Sequence, residues 1–136
     1  MVVTRVEVTP KQGPGMRDVR GDSTRRELLS DHAVSATEVR SIVGFLIKSD
    51  ISEEEITARS DDLFTDPIIE TGFINTLAMS NSEIFPTSPD CVITIGFKPG
   101  VTDNPGKAAV DGFRTIFPQA TDAEISTYIP YAFYGL

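Results

Sequence analysis

Gly15-Met16-Arg17-Asp18-Val19-Arg20-Gly21 and Gly100-Val101-Thr102-Asp103-Asn104-Pro105-Gly106 are two occurrences of one pattern, Gly-x-x-Asp-x-x-Gly, in a chain of 136 residues. An internal repeat decides architecture ahead of any local assignment, and here the flanks agree as well. An alternating run precedes each motif, Arg5-Val6-Glu7-Val8 in one copy and Val92-Ile93-Thr94-Ile95 in the other, and each run leads to a lysine, Lys11 or Lys98. Period-two alternation predicts a strand. The first copy carries two extra residues before its motif. After each motif comes a predicted helix, Asp22–Leu29 or Lys107–Phe113, and in the second copy Val110, Phe113 and Phe117 recur at helical spacing as a core-facing stripe. A second strand follows in both, Ser41–Ile47 after Glu38-Val39 and Tyr128–Phe133 after Glu124-Ile125.

The first copy continues. Ser52-Glu53-Glu54-Glu55 reads as a capping box opening a helix, with acidic residues at its positive end. Ile56, Leu63 and Phe64 supply the apolar side, and Asp66-Pro67 marks the end, because a residue before proline avoids helical angles. A third strand, about Ile69 to Leu77, completes the order strand, helix, strand, helix, strand. Residues Ala78 to Pro89, rich in Ser, Asn and Pro, read as a linker. The second copy reaches Tyr134-Gly135-Leu136 after its second strand and lacks the later helix and strand. An unfinished repeat leaves a sheet edge uncovered, so the expectation is that another chain covers it or that the polypeptide continues in the native gene. The fold class is α+β: two tandem β-α-β-α-β units, 1–77 and an incomplete 90–136, joined by 78–89, forming a pseudo-dimer with antiparallel sheets and helices on one face.

Composition narrows the function. Twenty acidic against twelve basic residues give a net charge of -8, which opposes non-specific binding to nucleic acid or an anionic membrane. No stretch approaches the ~20 apolar residues of a spanning helix, and the N-terminus alternates instead of forming a signal peptide. The chain reads as soluble and cytoplasmic. Cys91 is the sole cysteine and His32 the sole histidine. Cys91 fits a small buried residue at a strand start, and His32 a surface or helix-end position, since no nucleophile sits at motif spacing to it. Glu53–Glu55 and Asp61-Asp62 read as a solvated helix face, because nothing near them resembles a calcium loop. Tyr128, Tyr131, Phe133 and Tyr134 fit sheet packing or an interface.

In the motif itself, glycines admit positive φ or close approach of strand and helix, and the aspartate accepts hydrogen bonds from loop N–H groups. Asn104 is read as the cap of a helix with Pro105 at its first position. The candidate structural or interface residues are thus Gly15, Arg17, Asp18, Gly21, Lys98, Gly100, Asp103 and Gly106. A phosphate cradle is the alternative, although neither loop has the Gly-Lys-Ser/Thr of a P-loop or the Gly-x-Gly-x-x-Gly of a dinucleotide fold. Arg17, Arg20, Arg25 and Arg26 crowd the first copy and read as solvated surface charge, with docking of an acidic partner or a phosphate as the alternative. No acid, base or nucleophile assembles into a catalytic set.

Lys98-Pro99-Gly100-Val101-Thr102-Asp103-Asn104-Pro105-Gly106 nearly reproduces the Lys-Pro-Gly-Val-x-Asp-Pro-x-Gly opening of the small PurS-type accessory subunit of phosphoribosylformylglycinamidine (FGAM) synthase, which both copies resemble. Leu63-Phe64-Thr65-Asp66-Pro67-Ile68-Ile69-Glu70 is similar to that family's Leu-Leu-x-Asn-Pro-Val-Ile-Glu helix end, whereas Gln12-Gly13-Pro14-Gly15 departs from its opening. The resemblance implies a PurS-like N-terminal domain of the single-chain synthase, or a subunit that bridges its synthetase and glutaminase parts in purine biosynthesis. It implies no catalytic residue and no cofactor on this chain, ATP and Mg2+ being used by the assembled glutamine amidotransferase. The implied partners are those synthetase and glutaminase parts, with self-association of the chain also open. The alternative is a regulatory module binding a small anion between the copies through both motif loops and Arg17, Arg20 or Lys98.

Overall fold

The computed structural model describes Met1–Leu136. Its elements run β1 (Val2–Pro10), α1 (Val19–His32), β2 (Glu38–Ser41), β3 (Val43–Ser49), α2 (Glu53–Ala58), α3 (Ser60–Leu63), β4 (Glu70–Ile74), β5 (Cys91–Gly96), α4 (Asn104–Ile116) and β6 (Glu124–Tyr134). The class is α+β, with every strand pairing antiparallel in one six-stranded sheet. β6 is its longest strand. One side of β6 pairs with β5 and the other with β2 and then β3, after which β1 and β4 follow.

The strand expected from Ser41 is broken at Ile42, and Pro130 explains the break. Ile42 N–H donates to the Pro130 carbonyl at 3.0 Å, but proline has no N–H to return the second bond of the pair. The register nevertheless continues unslipped, from Ser41 opposite Tyr131 to Gly44 opposite Tyr128. The same register recurs within each half. Val6 faces Phe45 and Val8 faces Val43 across β1 and β3, as Ile93 faces Tyr131 and Ile95 faces Ile129 across β5 and β6.

Alternation divides the sheet into two faces. On one, the main core gathers Val6, Val8, Ile47, Ile56 and Phe64 with Phe113, Phe117 and Ile125, so residues from both halves of the chain share it. α4 lies over β6 with Phe113 fully buried, whereas α1 buries only Gly21 and leans on β2. The capping box at Ser52 forms as read, with Glu55 N–H donating to Ser52 Oγ at 3.2 Å. The helix it opens stops at Arg59 and resumes as α3.

The other face is covered too. Ala78 to Pro89 packs across it, burying Ala78 and Phe85 against Ile42. Cys91 departs from expectation: it is exposed, because β5 is an edge strand and all six of its residues face solvent. His32 closes α1, exposed.

Candidate functional site

Each motif folds into the same latch. Asp18 caps α1, its carboxylate accepting from Gly21 N–H at 2.8 Å, Ser41 N–H at 2.6 Å and Ser41 Oγ at 2.7 Å. Asp103 caps α4 and accepts from Gly106 N–H at 2.8 Å, Thr127 N–H at 2.6 Å and Thr127 Oγ1 at 2.8 Å. The cap of α4 is therefore Asp103 and not Asn104, which occupies the first helical position with Pro105 behind it. An aspartate reaches both the helix N-terminus and the neighbouring strand, a bridge the helix needs if it is to be fixed to the sheet.

The glycines divide their work. Gly15 and Gly100 lie at φ 77° and 83°, in the left-handed region. Gly21 and Gly106 sit in the first helical turn, where a Cβ would collide with the carbonyls of Val39 and Ile125. These glycines let the helix approach the strand closely enough for the carboxylate to span the gap.

The motif loops do not converge on a common cleft. Gly15, Arg17, Asp18 and Arg20 line an open cleft of about 740 Å³ with Ile69 and Tyr131, and Lys98, Gly100, Asp103 and Gly106 take no part in it. Arg17 is held by Asp22 at 3.0 Å. The Gly21 N–H of α1 already meets the Asp18 carboxylate, whose negative charge opposes an incoming phosphate at that helix end. A smaller pocket of about 190 Å³ lies between the two halves, lined by Arg20, Val43, Ile95, Phe97, Pro105 and Ile129.

The opposite face carries groups that alternation alone hides. Glu7 is 2% exposed, and its carboxylate accepts from Ala78 N–H at 2.8 Å and from the Tyr128 hydroxyl at 2.6 Å. Arg5 Nη1 donates to that hydroxyl at 3.0 Å. The Tyr128 ring lies against Gly44, where any side chain would overlap it. Burial, then the Glu7 hydrogen bond, pushes the Tyr128 phenol well above its usual value; burial likewise raises Tyr134. Arg40 is buried beneath the 78–89 segment, its guanidinium 3.7 Å from the Phe85 ring centroid and Nη1 donating to the Ile84 carbonyl at 2.6 Å. The sequence signal for this face was Ile84-Phe85 in a stretch rich in Ser, Asn and Pro, because such residues need a surface to cover.

No group of three or more His, Cys, Asp or Glu converges on a metal position. No helix is long and apolar enough to cross a membrane. The arrangement holds backbone elements and shapes surfaces.

No protein-family model matches the chain, and no curated protein matches it. Among solved structures, PurLQS from Thermotoga maritima is similar over 57% of this chain and 100% of the other, at 17% identity and TM-score 0.38. The PurS subunit of phosphoribosylformylglycinamidine synthase from Thermotoga maritima is similar over 56% of this chain and 93% of its own, at 15% identity and TM-score 0.37.

Proposed function

We propose that this chain is a non-catalytic scaffold of FGAM synthase, two PurS-like units (1–77 and 90–136) joined through 78–89 as a pseudo-dimer that positions the synthetase and glutaminase parts. The observation that carries the reading is the repeated latch. Asp18 with Ser41 and Asp103 with Thr127 build one geometry twice, on the residues through which both copies resemble the accessory subunit. β3 and β6 then pair as two copies of one strand would about a twofold axis. The latch residues work as structural members, and the surfaces around them dock the partners.

The test is reconstitution. Purified chain is mixed with the synthetase and glutaminase parts of FGAM synthase, and glutamine-dependent FGAM formation is measured with and without it. Stimulation by the chain, with no ATPase, glutaminase or amidation activity from it alone, is expected. Robust activity of the isolated chain, or failure to bind either part, overturns the reading.

A regulatory module is the second reading, favoured by the open cleft beside α1 with Arg17 and Arg20 on its wall. Thermal-shift measurements with nucleotides and small anionic metabolites separate the two, since a ligand bound only by the folded state raises Tm.

A further inference from the structure

Arg40 is 4% exposed, and an arginine is almost never buried so fully unless an anion pairs with it. None does. The ion pairs join Met1 to Asp50, Arg5 to Glu7, Arg17 to Asp22 and Arg59 to Asp62, and the Phe85 ring against the guanidinium supplies only part of what water would. The hydrogen bonding is just as incomplete. Nη1 donates to the Ile84 carbonyl at 2.6 Å, while Nε and Nη2 are shut off from solvent without an acceptor. Those two nitrogens carry parallel N–H bonds along one edge of a planar group, an edge that matches both oxygens of a carboxylate. Arg40 helps to wall a pocket of about 350 Å³ together with Glu38, Glu83, Thr87 and Tyr134. The two glutamates are exposed at its rim. The Tyr134 hydroxyl donates to the Thr87 carbonyl at 3.2 Å through an exposed bond. Burial raises that phenol, and the neighbouring Arg40 charge opposes the rise.

We propose that this pocket binds a small zwitterion, an α-amino acid whose carboxylate takes Arg40 Nε and Nη2 while its ammonium group faces Glu38 and Glu83. The carboxylate supplies the counter-charge and the two acceptors that the buried guanidinium lacks. The rim decides the rest of the ligand. Two glutamates against one arginine leave the pocket with one negative charge in excess, which turns away a phosphate dianion and suits a molecule that brings both signs. Swinging the Tyr134 hydroxyl off the Thr87 carbonyl uncovers the free edge at the loss of one exposed hydrogen bond. No residue of this pocket lines the cleft beside α1, and the proposal is independent of the scaffold role.

L-Alanine and propionate differ chiefly by the ammonium group, and the Arg40 Nε–H signal in proton–nitrogen NMR spectra of the full chain reports the binding of either. L-Alanine is expected to shift that signal saturably, propionate to bind about fivefold more weakly, and inorganic phosphate to leave it in place. Glu38→Gln combined with Glu83→Gln, two exposed changes, should abolish the preference by weakening L-alanine and not propionate. Arg40→Lys keeps the charge and loses the paired edge. Followed through the amide signals of Thr87 and Tyr134, it should bind L-alanine at least about tenfold more weakly. The preference between two ligands is a readout that loss of folding cannot imitate. An Arg40 signal that neither L-alanine nor propionate moves overturns the proposal. So does phosphate binding more tightly than L-alanine, or a preference for L-alanine that survives removal of both glutamates.

Discussion

Asp18 and Asp103 each replace three separate interactions, a helix cap, a strand N–H bond and a hydroxyl bond. Replacing either by Ala leaves a helix N-terminus and a strand N–H without partners and is expected to cost about 2–3 kcal/mol in urea unfolding. The glycines of the motif should rank unequally. Gly15→Ala meets only the strain of φ 77°, about 1–2 kcal/mol, whereas Gly21→Ala drives a methyl into the Val39 carbonyl and should cost about 3 kcal/mol. Equal losses would mean that helix and strand are not held at contact distance. On the other face, Tyr128 is neutral in the folded state and its phenol is raised by burial and by Glu7. Its contribution is therefore present below the unfolded phenol value of about 10 and is lost as pH climbs toward the folded value. Tyr128→Phe should lower stability at neutral pH by about 1–2 kcal/mol, through the unpaired Glu7 oxygen. It should also flatten the alkaline decline, leaving Tyr134 as the other raised phenol; an unchanged alkaline slope would refute the assignment. The spacing of the motif made the aspartates visible in the sequence. Glu7 was not visible, because Val6-Glu7-Val8 alternates as a strand with one wet face would, and only the 78–89 cover makes that face dry.

Elements were legible where one local signal was strong. Ser52 and Glu55 formed their box, and Val110, Phe113 and Phe117 turned inward from α4, two of them fully or nearly buried. Phe113→Ala is expected to cost about 3–5 kcal/mol, measured by denaturant titration, while the corresponding change at Leu28 in α1, half-covered by Val39 and Phe133, should cost markedly less. Elements were misread where a partner strand decided them. The β2–β3 break follows from Pro130, more than eighty residues away, and no window around Ile42 contains it. Cys91 looked buried because a small residue suits a strand start before Val92-Ile93, yet burial of a strand depends on what lies beside it, and β5 has a neighbour on one side only. The first helical turn also reached back to Val19 and Asn104, so the second glycine of each motif belongs to the helix. A glycine there suggests a loop by propensity, and its close packing against a strand carbonyl reverses that preference.

At the scale of the molecule, the repeat suggests two units and the packing makes them one. The main core draws Val6, Ile47, Ile56 and Phe64 from before residue 78 and Phe113, Phe117, Ala123 and Ile125 from after residue 90. β3 has β1 on one side and β6 on the other, so removing 90–136 strips it of a pairing partner. The Tyr128 hydroxyl adds a third tie, donating to Glu7 across the halves at 2.6 Å. Neither half can therefore bury its apolar face alone, and a chain this size whose main core both halves share should unfold in a single step. Calorimetry is expected to give equal calorimetric and van't Hoff enthalpies for the full chain. Fragment 1–89 by itself should show collapsed amide dispersion by NMR. A folded 1–89 would mean that the β1, β3 and β4 sheet is self-sufficient, and that Phe113 and Ile125 only decorate its core instead of completing it.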